Sequence, residues 1–89
     1  MTMNAWLRYG VFRRLLPPET RSVLEIGAGM GAVGSLLARE FTYVGLEPDP
    51  VSCETARERL AGAGTVLPIS AEEFESTDGF DVVCAFEVL

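Results

Sequence analysis

The sequence predicts an α/β chain built on a doubly wound parallel sheet, and three observations predict it. Short apolar runs alternate with stretches of helical spacing from residue 22 to residue 86. A glycine cluster, Gly27, Gly29 and Gly31, lies between the first apolar run and the helical stretch after it, as at a βα turn. A second apolar run ends on an acid, in "VGLEPDP", and opens into another helical stretch. Strands alternating with helices imply right-handed crossovers, so the expected strand order is third, second, first, fourth. A ligand crevice then lies beside the first strand, where the order reverses. The arrangement is Rossmann-like and partial, about four strands with flanking helices.

Each element has its own signal. Asn4 can cap a first helix over residues 5–16, where Leu7, Val11 and Leu15, with Phe12 and Leu16, recur at helical spacing until Pro17-Pro18 ends it. Residues 22–26 form a first strand and 27–31 a glycine loop. A helix over 32–40 carries Val33, Leu36, Leu37 and Phe41 on one side. Residues 42–46 form a second strand. Asp49 offers an N-cap with Pro50 at the first helical position. That helix runs to Leu60, buries Cys53, Ala56 and Leu60, and stops at Gly62 and Gly64. Residues 65–69 form a third strand, 71–75 one helical turn, Asp78-Gly79 a turn and 80–86 a fourth strand.

Size and charge bound what such a chain does. Its 89 residues suffice for one small domain, and 48% hydrophobic content supports a core. The net charge of −6 argues against nucleic acid and anionic membrane as partners. Arg8, Arg13 and Arg14 form a local basic cluster, read as a solvated helix face. All basic residues are Arg, and without His there is no imidazole base or imidazole metal ligand. Cys53 and Cys84 have no paired spacing, which suits two small buried residues in a reducing compartment better than a disulfide or a metal site. No segment is long and apolar enough for a membrane span, and "MTMNAWLRYG" lacks a signal peptide's apolar stretch, so the expected location is cytoplasmic. "FDVVCAFEVL" stops straight after an apolar strand. A bare sheet edge there predicts that the natural chain continues, with a partner chain covering the edge as the alternative.

The candidate site begins with a misplaced charge. In "VLEIGAGMG", Glu25 sits inside the strand expected to be most buried, two positions before the first glycine. An unpaired buried carboxylate costs several kcal/mol unless its pKa shifts or it finds partners. Gly27, Gly29 and Gly31 spell G-x-G-x-G, while Gly29, Gly31 and Gly34 also spell the dinucleotide fingerprint G-x-G-x-x-G. Both patterns bring backbone close to a ligand at a helix N-terminus. Glu25 separates them, because a carboxylate repels a pyrophosphate but suits the α-ammonium of S-adenosylmethionine. Its alternative is a carboxylate that caps the next helix or reaches solvent. Glu47 follows Gly27 by 20 positions at the end of the second strand, a spacing that suits a carboxylate on both ribose hydroxyls. It supports an adenosine ligand without choosing between the two cofactors.

"VLEIGAGMG", "VGLEPDP" and "FDVVCAFEVL", in this order and spacing, resemble the class I S-adenosylmethionine-dependent methyltransferase family. The resemblance covers residues 21–89, the N-terminal half of such a domain, after a helix and connector over 1–20. It implies that Glu25, Gly27, Ala28, Gly29 and Gly31 line the methionine part of S-adenosylmethionine. It also implies that Glu47, with Pro48 and Asp49 beside it, holds the ribose, and that Ser70 and Ala71 lie at the adenine. Ser70 stands where the family often has Asp, and Met30 where it often has a small residue. Phe86 and Glu87 would lie at the fourth strand's end, near cofactor and substrate entrance, with a plain core role as the alternative for Phe86. The implied activity is methyl transfer to a small-molecule substrate, with no catalytic base or metal ligand assigned. From these 89 residues alone, weak cofactor binding and no turnover are expected. The competing readings are an NAD-type oxidoreductase domain and a non-catalytic module that kept the fold.

Overall fold

The β-rich run Ser22–Ile26 becomes one of the two interior strands of the sheet. A computed structural model describes residues 3–74 and 79–86 of the chain. In it, α1 (Met3–Leu15) precedes β1 (Ser22–Ile26), α2 (Gly34–Leu37), β2 (Thr42–Leu46) and α3 (Pro50–Leu60). Then come β3 (Thr65–Leu67), a 3-10 turn (Ala71–Glu73) and β4 (Val82–Cys84). All strands pair in parallel in the order β3-β2-β1-β4, as the alternating pattern predicts. Between β1 and β2 the register runs from Ser22 opposite Thr42 to Ile26 opposite Leu46. On the other side of β1, Glu25 lies opposite Cys84.

Alternation along the strands puts Val23, Tyr43 and Val66 on one face, where they join Leu37, Cys53 and Leu60 in the core. Val33, Leu36, Leu37 and Phe41 are buried as their spacing predicts. The α-helix there is only Gly34–Leu37, shorter than the expected 32–40. Around it the chain winds in tighter turns, with Leu36 N–H on the Val33 carbonyl and Glu40 N–H on that of Leu37. Gly31, in a left-handed conformation at φ +85°, precedes these turns.

α3 matches its signals. The Asp49 carboxylate accepts the Ser52 N–H at 2.9 Å, Pro50 opens the helix, and Ala61 and Gly62 end it in left-handed conformations. β3 stops before 69 because Pro68 has no N–H for the ladder. β4 is shorter than 80–86 at both ends. At its start the Asp81 side chain, not the strand backbone, takes the Arg21 and Ser22 N–H groups, and past Cys84 its neighbour β1 turns away into the glycine loop.

α1 departs most from expectation. Asn4 lies inside the helix and does not cap it. Helical spacing yields two apolar stripes, and only one is buried. Ala5, Tyr9, Phe12 and Leu16 pack on the core, while Leu7, Val11 and Leu15 are exposed. The arginines divide too. Arg13 pairs with Glu40 at 2.8 Å, whereas Arg8 is half-buried with its Nε out of solvent, so the cluster is not one solvated face. Cys53 is buried as expected, but Cys84 is only half-buried. Gly79 has the positive φ of a turn. Asp78, Glu75 and Glu87 lie outside the described residues. No described helix is long and apolar enough to cross a membrane.

Candidate functional site

The site forms where β1 gives way to the glycine loop, at the carboxyl ends of the strands and beside the reversal of strand order. The Gly27 and Ala28 N–H groups both donate to the Leu46 carbonyl at 2.9 Å, which ties the loop's start to the end of β2. Gly27 and Gly29 have φ of +73° and +60°, and a Cβ on either would meet no atom within 4 Å. Their glycine requirement is therefore conformational, and the space beside them is open. Gly31 differs: its Cβ would stand 2.9 Å from the Ala56 backbone, so its bareness seats the loop on α3.

A cavity of about 400 Å³ opens beside this loop, with Arg8, Glu25, Gly27, Gly29, Met30 and Phe86 in its wall. Glu25 is 2% exposed. Its Oε1 accepts the Tyr43 hydroxyl at 2.5 Å, the partner a buried carboxylate requires. Burial nevertheless pushes the Glu25 carboxyl up to about 7, against the opposing pull of the Tyr43 hydrogen bond and the Arg8 charge, with Glu47 adding to the rise. The same burial and the Glu25 charge hold the Tyr43 phenol well above its usual range and push the Cys84 thiol up to about 12. Neither is an ionised nucleophile near neutral pH.

The sequence left unexplained how β1 tolerates this arrangement. Three glycines make room for Tyr43. A Cβ on Gly34 would stand 2.5 Å from its hydroxyl oxygen and one on Gly45 2.6 Å, and one on Gly64 would press on its ring at 3.0 Å. Gly34, the third glycine of the dinucleotide pattern, thus serves close packing of α2 against β2.

Glu47 leaves the end of β2 and turns back on the loop. Its Oε1 accepts the Gly29 N–H at 2.7 Å and its Oε2 the Asp49 N–H at 3.0 Å. Pro48 and Asp49 beyond it are exposed. Of the sequence-predicted residues, Glu25, Gly27, Ala28, Gly29 and Phe86 meet at the cavity. Gly31 faces α3 instead. Ser70 and Ala71 sit on the separate 3-10 turn, where the Ser70 N–H and hydroxyl both donate to Glu73 Oε1 in a capping box. Phe86 packs edge-on against Phe12 at 4.9 Å, so it is both cavity wall and core. Arg8, Ser52 and Arg59 are polar residues of the cavity that sequence reasoning missed, and Arg8 is the one among them with a solvent-shielded nitrogen. Arg8 lies one helical turn from Ala5 and Phe12, but the stripe of Leu7, Val11 and Leu15 has the same helical spacing, so the sequence did not say which side of α1 faces inward.

A family model described as "Methyltransferase domain" matches residues 24–89. A ubiquinone biosynthesis O-methyltransferase of Methylobacterium nodulans is 37% identical over 82 residues, covering 86% of this chain and 33% of that protein. A tRNA U34 carboxymethyltransferase of Shewanella halifaxensis is 34% identical over 91 residues, covering 94% of the chain and 28% of its own length. Among solved structures, a Pyrococcus abyssi tRNA (uracil-54, C5)-methyltransferase in complex with S-adenosyl-L-homocysteine is 26% identical. It superposes with a TM-score of 0.75, covering 90% of this chain and 21% of that one. The chain thus spans about a third of the length of the curated relatives it matches.

Proposed function

The chain belongs to the methyltransferase-domain family, and from that premise we propose that residues 21–89 form the S-adenosylmethionine-binding half of a methyltransferase, with residues 1–20 as a leading helix and connector. The observation that carries the reading is Glu25, a buried carboxylate in the wall of a cavity lined also by the left-handed Gly27 and Gly29. That donor set fits a ligand with a positive α-ammonium and no phosphate. A pyrophosphate in its place would meet the carboxylate, which sets the dinucleotide reading second. A solved relative that holds S-adenosyl-L-homocysteine supports the same ligand class.

When bound, that cofactor supplies a methyl group activated by a positively charged sulfur. The chain's own residues bind and orient. Glu25 would hold the ammonium, and Gly27 and Gly29 would let backbone approach the ligand closely. Glu47 holds the loop in place through the Gly29 N–H and keeps further lone pairs for the ribose hydroxyls, with Pro48 alongside. Ser70 and Ala71 would serve the adenine, and Phe86 would shield the cavity wall from water. Positioning of donor and acceptor supplies much of the acceleration in such a transfer. We assign no general base among these residues.

For the acceptor we favour a small molecule in the cytoplasm, on the net charge of −6. A tRNA acceptor is the second reading, favoured by the two relatives named for tRNA. Calorimetric titration with S-adenosylhomocysteine, with circular dichroism to confirm folding, tests the cofactor reading. Binding that Glu47→Ala abolishes supports it. A folded chain that ignores this ligand and is stabilised by NADH would replace it with the dinucleotide reading.

A further inference from the structure

The base of the sheet carries positive charge that the chain leaves unanswered. A groove of about 600 Å³ opens at the amino ends of the strands, the opposite end from the glycine loop. Arg21 before β1, Arg39 after α2, and Thr42 and Thr65 at the starts of β2 and β3 line it. A smaller groove of about 350 Å³ shares Arg39 and Ala63 with it and adds Ser35 of α2 and Arg59 of α3. Arg39 therefore stands where the two adjoin. Among the described residues, Glu40 is the one acid in either wall, and it is already taken. Tyr9 and Arg13 donate to its Oε2 at 2.7 and 2.8 Å, and Arg13 also reaches its Oε1 at 3.4 Å. Asp81 feels the charge of Arg21, but its Oδ2 accepts the Arg21 and Ser22 backbone N–H groups and makes no ion pair within 4.0 Å. Arg39 and Arg59 have no acid within 4.0 Å among the described residues. Exposed arginines are commonly served by water alone. Here acids outnumber bases 13 to 7, yet none answers Arg39, and the walls beside it add hydroxyl donors.

We propose that the larger groove binds a phosphate group, free or carried on a small molecule, with Arg39 as its main ligand and Arg21, Thr42 and Thr65 as further donors. A guanidinium fork matches the oxygens of a phosphate with two parallel hydrogen bonds. Two arginine charges also suit a dianion better than a single carboxylate. The groove's volume lies in the range of small-molecule sites. A nucleic-acid chain fits it less well. Beyond the groove a polyanion meets a chain of net charge −6, and the aromatic residues in the wall, Phe41 and Tyr43, are buried and offer no face for a base. The site is separate from the cofactor cavity, at the other end of the strands, so it does not depend on what the glycine loop holds. A bound phosphate would tie the connection between α2 and β2 to the start of β1.

The test is calorimetric titration of inorganic phosphate and of ribose 5-phosphate into the full chain, with sodium chloride holding the ionic strength constant so that screening is equal in every arm. Wild type should bind at least one of them saturably. Arg39→Gln should weaken that binding about tenfold, the loss expected of a charged hydrogen-bonding contact. Arg14→Gln removes the same charge from an exposed position on α1 and should leave the binding unchanged. Arg39 is exposed and unpaired among the described residues, so the circular-dichroism melting curve of Arg39→Gln should match that of wild type. Tighter binding of the ester identifies an organic phosphate as the occupant, and equal binding a free phosphate. Either result supports the site. Equal losses in Arg39→Gln and Arg14→Gln would overturn it, because the arginines would then act only as diffuse charge. Wild type that binds neither probe would overturn it without any variant. So would a short single-stranded RNA that displaces phosphate with higher affinity and depends on Arg39, since this face would then serve a polyanion.

Discussion

The Tyr43 hydroxyl donates to Glu25 Oε1 at 2.5 Å and so joins two neighbouring strands below the glycine loop. Val23 and Tyr43 are register partners, and Glu25 lies opposite Gly45 on the same face. Because Gly45 has no side chain, the tyrosine can lie along β2 toward the carboxylate of β1. The pair makes a buried charge tolerable and sets where it points.

Removing the hydroxyl should cost stability and disturb the carboxylate. Tyr43→Phe leaves the buried Glu25 oxygen without its donor, an expected loss of about 1–3 kcal/mol. The Glu25 carboxyl should also titrate higher than about 7, since the hydrogen bond is one of the effects that lower it. Urea denaturation of the variant, alone and combined with Glu25→Gln and repeated from pH 5 to 9, measures both. Additive losses in the double variant would mean that the bond contributes nothing.

Stability should fall as pH rises through neutrality. Glu25 titrates near 4.5 in an unfolded chain and near 7 when folded, so the folded state binds the proton more tightly. Its contribution is complete below about pH 4.5 and is lost by about pH 7, a span of about 3 kcal/mol. Asp49 and Asp81, held low by backbone N–H groups, act in the opposite sense in more acidic solution. Thermal melts should therefore show a maximum near pH 5 that Glu25→Gln flattens on its alkaline side. A curve that instead climbs from pH 5 to 8 would contradict the burial of this carboxylate.

An amine-bearing ligand should respond to the same titration with the opposite sign. Glu25 attracts an ammonium only when ionised, so S-adenosylhomocysteine should bind several-fold more tightly at pH 8 than at pH 6. Methylthioadenosine, which lacks the amine, should bind equally at both values.

Gly34→Ala should destabilise through Tyr43. Its methyl would stand 2.5 Å from a buried hydroxyl, an overpacking cost of about 1–3 kcal/mol. Tyr43→Leu should recover part of that loss by vacating the space. No rescue would show that the glycine serves something other than the tyrosine.

The loop glycines should separate by mechanism. Gly29→Ala meets only the left-handed backbone, a cost of about 1–2 kcal/mol. Gly31→Ala adds a clash with the Ala56 backbone at 2.9 Å and should cost more. Denaturant midpoints of the two variants rank them, and equal midpoints would refute the seating of the loop on α3.

Local chemistry made much of this legible in the sequence. Asp49 and Pro50 announced α3, and Pro68 limits β3 by lacking an N–H. Alternation of strand and helix determined the order β3-β2-β1-β4, because crossover handedness leaves few choices. Gly27 and Gly29 announced a turn that needs positive φ. The sequence alone also marked Glu25 as anomalous, since a strand feeding a glycine turn in a parallel sheet is expected to be buried on both faces. Tertiary structure decided what answers the anomaly. Tyr43, Gly34, Gly45 and Gly64 stand far apart in the chain, and only strand register and helix packing bring them to one point. The choice between the two apolar stripes of α1 was likewise tertiary, since both have helical spacing and the core accepts one. That choice turned Arg8 inward to Glu25, which no periodicity in residues 5–16 could specify.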